Sequence, residues 1–591
     1  MPADGGNSQG SAVDISTTID SNSAAQLGVA AAALVVAGCG GGSSESSSSG
    51  IGSSSSASSS SASSATGIDD AHAARFLLQA QFHASDSDIT AVKSRGYANW
   101  LSDQYAGGQG QTGVAWLDAQ GYNAIKSDQS YFWPQFGDFM IWNQLLTAPD
   151  QLRKRVALAL SEYFVVSLNA IDGFWPPYMM AAYWDLLTAN AFGNFRTLLE
   201  KITLNAAMGL YLATRGNLKE DTTTGRQPDE NFAREIMQLF TIGLYELNLD
   251  GTYQLDSNSK PRETYTQADI TNLARVFTGY DYDYTNVTQT PVAWVSYKIP
   301  SNNFALDPMI LIPQIHSTLS VNFLGTSIPA NTSGASALKT ALDTLFNHHN
   351  VGPFFAKQMI QRLVTSNPSP AYVQRVATVF NNNGVGIRGD LKAVWTAILT
   401  DTEARTSPTA SDTLGGKLRE PMLRFVQWAR TAGFTSTNGK YEIYDLSPSD
   451  TSLGQSALRS PSVFNFFRPG YVPPNTAIAS SSKQAPEFQI VNETTTAGYI
   501  NFMEVVTRSG FMDIKPTYTA WLSMADNLPA LLTKLNLVLT ANQLSSTTIN
   551  RIQTALATFG VTASTTDQNK ALLVSTACFL ILCCPEYLVQ K

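Results

Sequence analysis

The chain has 591 residues, 43% of them hydrophobic and only 14% charged, with a net charge of −8. That length and apolar content support large buried cores, and the low charge leaves a surface rich in Ser, Thr, Asn and Gln. An acidic balance without a basic run excludes a nucleic-acid partner, because phosphate binding needs a concentrated basic surface.

The N-terminal stretch reads as an address. No Lys or Arg occurs in the first 74 residues. Ala24 to Gly38 is small and mostly apolar and ends in Val36-Ala37-Gly38-Cys39, which resembles a lipobox with Cys39 as the lipidated residue. The apolar run suits the hydrophobic region of a signal peptide and is short for a bilayer span. Residues 1–38 are therefore expected to be signal-like. Residues 39–68, rich in Gly and Ser, are expected to be a disordered tether that buries no apolar area. Asp4, Asp14 and Asp20 stand where a signal peptide carries positive charge. The expected location is the cell envelope, lipid-anchored, or secreted, with the lipid as the only membrane contact.

From residue 69 to 591 the pattern is overwhelmingly helical, so the fold class is mainly α, one large multi-helix body with a subdomain boundary expected near 336. Arg75 to Trp100 reads as two short helices around a capped turn at Ser87-Asp88. Leu152, Val156, Leu160, Tyr163 and Phe164 form a stripe of helical period, with Arg153-Lys154-Arg155 as its solvated face. Further helices are expected over 178–187, 195–212, 268–276, 335–346, 354–364, 371–380, 391–399, 420–432 and 546–558. A small β-hairpin insertion is expected near 247–265 and a short strand near 292–299, ended by Pro300. Ser460 to Pro474 reads as an ordered aromatic loop. Cys578, Cys583 and Cys584 lie at the end of an apolar helix and read as buried thiols. Their spacing fits no zinc pattern.

The densest charge lies in Asp229-Glu230-Asn231-Phe232-Ala233-Arg234-Glu235. Glu230 and Arg234 are four apart and face each other on a helix. One reading is a capped, ion-paired helix. The other makes Glu230 or Glu235 an acid/base group, with Arg234 and Asn231 binding an anionic substrate. Thr266 and Asp269 fit an acidic capping box. Arg275 lies in an apolar stretch and needs a partner, for which Glu235 or Glu230 is the obvious choice. His316 is a further catalytic candidate. His348-His349 read as surface or helix-end charge partners, and His72 and His83 have no metal spacing. Asp250 to Asn258 carries turn chemistry rather than a calcium loop. Clusters around Trp133–Trp142, Trp175–Tyr178 and Phe464–Tyr471 are core aromatics or sugar-stacking platforms. No nucleophile elbow, phosphate loop, dinucleotide fingerprint or zinc-protease motif occurs. The cofactor is unknown and no metal is expected.

These motifs carry a resemblance. The block from Asp229, with Tyr265-Thr266-Gln267-Ala268-Asp269 and Ala274-Arg275-Val276-Phe277-Thr278-Gly279, resembles the bacterial domain of unknown function 1800 family. Gly193-Asn194-Phe195-Arg196, Leu453-Gly454-Gln455 and Ala485-Pro486-Glu487-Phe488-Gln489 extend it from Arg75 to the C-terminus. The chain departs from the family pattern at Asp229 and Phe240, where Asn and His are usual, and at Ser317 and Val321, where Asp and Lys are expected after His316. The resemblance implies an exported protein without an established reaction.

Two functions follow. An enzyme or binding protein would act on an extracellular polysaccharide or anionic substrate through Glu230, Glu235 and His316, with Arg234 and Arg275 holding the anion. A non-catalytic scaffold or export partner would serve a secreted phosphatase- or sulfatase-like protein, the kind of neighbour that the resemblance implies. In the first case the charged residues share a pocket; in the second they are paired and sealed.

Overall fold

A computed structural model describes residues 67–408 and 415–591. The signal-like segment, Cys39 and the tether up to residue 66 lie outside the described residues. Among the described residues 24 α-helices are joined by turns, and ten strands of two or three residues pair into five antiparallel two-stranded sheets. The protein is mainly α, as its periodicity implies.

Local chemistry sets the helix ends. Asp69 caps Asp70–Ala80, with its side chain accepting from the His72 N–H. Ser85 and Asp88 form a capping box at Asp86–Arg95, and Thr266 and Asp269 form another at Gln267–Ala274. Gly96, at φ 76°, separates Asp86–Arg95 from Tyr97–Ala106, so the first region holds three helices rather than two. Helix Pro176–Asn190 lies at the centre, packed against Gly113–Ala119, Gln135–Thr147, Gln151–Ser161 and Phe195–Thr203. Its Tyr183 and Trp184 are fully buried. One continuous apolar cluster runs from Ala73 to Tyr587, drawing residues from both sides of position 336. The strand Lys417–Leu418 pairs with Val589–Gln590 and fastens the C-terminus to the middle of the chain. No helix among the described residues is long and apolar enough to cross a membrane.

The small β insertion forms as a ladder of single bridges, Tyr245–Glu263, Leu247–Tyr253 and Leu255–Pro261, rather than as full strands. Asp250 and Asp256 accept turn N–H groups from Thr252, and from Asn258 and Lys260. Of the strand expected over 292–299, only Ile299–Pro300 forms, paired with Gln289–Thr290. The alternating aromatics before it leave the strand direction to reach separate partners. Trp294 Nε1 donates to Tyr131 Oη at 3.1 Å, while Tyr297 packs edge-on to Phe132 and Phe174.

The basic cluster at 153–155 overturns its expectation as a solvated face. Lys154 is 0% exposed and Arg155 3%. Lys154 lies over the Trp184 ring, and Arg155 Nη2 donates to the Arg362 carbonyl at 2.7 Å. The helix Gln151–Ser161 is surrounded, so it has no solvent side to give them.

Candidate functional site

The charged block from Asp229, hereafter the hallmark block, folds as helix Asn231–Gln238, with Phe232, Ala233, Ile236 and Met237 turned into the core. Glu230 sits at its start. Its carboxylate accepts from Gln267 Nε2 and Thr271 Oγ1, each at 2.7 Å, and from Arg234 Nη2 at 3.3 Å. Glu230 and Arg234 therefore pin this helix to Gln267–Ala274. Asn231 is exposed, and its N–H donates to Asp229 Oδ1 at 2.8 Å. Glu235 is buried on the apolar face, where its Oε2 accepts no hydrogen bond. Burial raises its pKa, with Arg234 opposing.

Arg275 and His316 lie elsewhere. Arg275 Nη1 donates to Asn272 Oδ1 at 2.8 Å and to the Ser320 carbonyl at 2.9 Å, and not to the carboxylates that its sequence context suggested. These oxygens satisfy the guanidinium because the following turn brings the 316–321 loop across it. His316 is buried, with Nδ1 2.8 Å from the Thr278 carbonyl. Arg275 and His316 line one crevice of about 10 Å³, room for a single water. Ser317, in the place of the family's Asp, donates through Oγ to Glu220 Oε1 at 3.1 Å.

A second constellation escapes inspection of the sequence. Arg155, Glu162, Arg362, Lys417, Glu420 and Glu487 come together in the interior, each at most 5% exposed. Lys417 Nζ lies 3.1 Å from Glu487 and 3.8 Å from Glu420, and Arg362 Nε lies 3.6 Å from Glu162. Neither Glu162 oxygen accepts a hydrogen bond, and burial beside Glu420 holds its pKa well above the carboxylate range. Two motifs of the family resemblance converge here. Gln455 Nε2 donates to Glu420 Oε2 at 2.7 Å, and Glu487 belongs to the segment after Ala485. The signal in the sequence was charge inside apolar runs, at Lys154-Arg155 and at Arg362.

Above this cluster opens a cleft of about 560 Å³, in the range of small-ligand sites. Gln238, at the end of helix Asn231–Gln238, and Gly243 in the turn after it form one wall, and the loop carrying Phe464, Arg468 and Tyr471 forms the other. Tyr245 and Tyr253 meet edge-to-face at 5.5 Å on the rim, with Tyr253 52% exposed. On the floor, Gln361 Nε2 donates to Gln484 Oε1 at 3.0 Å, and Gln358 Oε1 accepts from Arg362 Nη1 at 3.2 Å. Lys357 and Arg468 also line the cleft, whereas no Asp or Glu does. Burial alone depresses the Lys357 pKa, and Arg468 rests over the Phe464 ring at 4.8 Å. The cleft offers cations, amides and ring faces, the groups that hold an anion on a sugar or aromatic frame. Glu230, Arg234, Glu235 and His316 are not among its lining residues.

No curated protein and no solved structure matches the chain at a significant level. The family model described as "Protein of unknown function (DUF1800)" matches residues 75–589. Hallmark block, buried charge cluster and cleft all fall within that span, and the chain belongs to the DUF1800 family.

Proposed function

We propose that the chain binds an acidic saccharide polymer in the cleft beneath Tyr253, held at the cell envelope through Cys39 and its tether. One observation carries the reading. In a protein of net charge −8, a 560 Å³ cleft presents Lys357 and Arg468 without a single lining carboxylate. Tyr245, Tyr253, Phe464 and Tyr471 supply ring faces, and four glutamines supply paired donors and acceptors for hydroxyl groups. Two-carboxylate glycoside hydrolysis needs an acid and a base flanking the bond, so the cleft supports binding rather than cleavage.

The test is calorimetric titration with polygalacturonate and sulfated oligosaccharides against neutral glucans. Acidic chains bind, and the affinity falls with added salt. Tyr253→Ala and Lys357→Gln each weaken binding about tenfold, corresponding to about 1.4 kcal/mol. Equal binding of neutral chains, or a Tyr253→Ala variant that binds like the parent, removes the proposal. A second reading, a scaffold for a secreted phosphatase- or sulfatase-like protein, draws support from the aromatic surface of Trp133, Trp294 and Tyr297, each at least 40% exposed. Co-purification lost in Trp133→Ser with Trp294→Ser favours it.

A further inference from the structure

Beside the cleft, but separate from its lining, Glu246, His348 and His349 converge, with one ligand atom from each lying within 4.8 Å of the others. His349 Nε2 is 2.6 Å from Glu246 Oε2, and the two imidazole rings stack at 4.5 Å with a tilt of 23°. Different parts of the chain supply the groups. Glu246 sits in the bridge ladder, where its N–H donates to the Arg262 carbonyl and its own carbonyl accepts from the Gln254 N–H, both at 2.8 Å. The two histidines follow helix Gly334–Asn347. The fully buried Asn350 locks these segments together. Its Oδ1 accepts from the Leu247 N–H, and its Nδ2 donates to the Ile242 and Tyr245 carbonyls, all at 2.8 Å. That lock fixes the spacing of ligand-bearing backbone on both sides of the trio, as a preorganised site requires.

We propose that Glu246, His348 and His349 form a binding site for a borderline divalent cation of the zinc class. Two imidazoles and one carboxylate suit zinc or cobalt, whereas calcium and magnesium prefer oxygen alone. Three protein ligands leave a coordination position open to water or a ligand group. The His349 side chain is 56% exposed, so a metal enters from solvent. Zinc bonds of about 2.0–2.2 Å set ligand atoms about 3.3 Å apart. The Glu246–His349 contact, 2.6 Å, opens by about 0.7 Å, and His348 moves inward. The N–H of Asn350, 3.2 Å from His348 Nδ1, is a long contact that such a shift easily replaces. Glu246 lies between Tyr245 and Leu247, both of which line the cleft, so the metal would sit at its margin.

The test uses the full chain after chelator dialysis, titrated with zinc chloride and separately with cobalt chloride. One zinc binds per chain, and His349→Ala, His348→Ala and Glu246→Gln each weaken it by about a hundredfold or more. His349→Ala is the decisive variant, because an exposed side chain is removed without disturbing the core. Its unchanged circular dichroism and melting in the absence of metal show that the fold survives. Cobalt gives visible d–d bands without the intense near-ultraviolet charge transfer of thiolate ligands. Absence of saturable zinc binding overturns the site. So does zinc affinity that His349→Ala leaves intact, or a thiolate band, which assigns the metal to a cysteine instead.

Discussion

At the scale of single residues, burial rather than residue type decides what a charge does here. Glu162 is an ordinary acidic residue at the end of an apolar stripe by sequence, yet it is fully enclosed and faces Glu420. Its folded pKa stands above its unfolded one. Its contribution to stability is therefore complete below the unfolded carboxylate pKa and is lost as pH rises through the folded value. The parent should lose stability between about pH 5 and about pH 8 more steeply than Glu162→Gln, which does not titrate. Urea unfolding at the two pH values reads this, and parallel pH profiles refute it. Glu230 shows the opposite case. Its pairing with Arg234 follows from the four-residue spacing, whereas its bonds to Gln267 and Thr271 need the neighbouring helix.

At the scale of elements, turns do much of the positioning. The hallmark helix ends at Gln238, and the chain leaves it through Gly243 at φ 72°. A Cβ there would lie 2.7 Å from Phe354 Cε2. Gly243→Ala combines left-handed strain with that contact and is expected to cost about 1–3 kcal/mol. A lower urea midpoint with an unchanged slope reports it, and an unmoved midpoint contradicts it. Most helices were legible as elements because their apolar periodicity and their caps are local. Helices Gly113–Ala119, Gln135–Thr147, Glu493–Ser509 and Leu528–Thr540 were not, and the second of these is buried nearly all round, so no polar face marks its period. The strand expected over 292–299 failed because its alternation reflects two different sets of aromatic partners, not two faces of a sheet.

At the scale of the whole molecule, the buried charges tie distant segments into one body. Arg155, Glu162, Arg362, Lys417, Glu420 and Glu487 come from four stretches of chain, and Lys417 alone touches two of the three carboxylates. Removing one partner of a buried ion pair leaves the other uncompensated, so Lys417→Met is expected to cost about 3–5 kcal/mol. Thermal and urea denaturation measure it. A loss below about 1 kcal/mol contradicts it. The same cluster supports the floor of the cleft through Gln358, so the stability of the core and the shape of the candidate site are coupled.

By itself the sequence determined the helical class, the Thr266–Asp269 capping box, the buried cysteine helix and the family, because each of these rests on spacing along the chain. It also marked Glu230, Arg234, Glu235, Asn231, Arg275 and His316 as unusual. Beyond the four-residue pair of Glu230 and Arg234, tertiary structure decided which of them meet. Arg275 shares a crevice with His316, and Glu235 lies buried outside that crevice. It also decided that Lys154 and Arg155 are interior, and that an acidic chain carries a cleft without acidic walls. The physical reason is the same in each case. Solvation and charge pairing depend on what approaches through space, and those partners lie tens to hundreds of residues away along the chain.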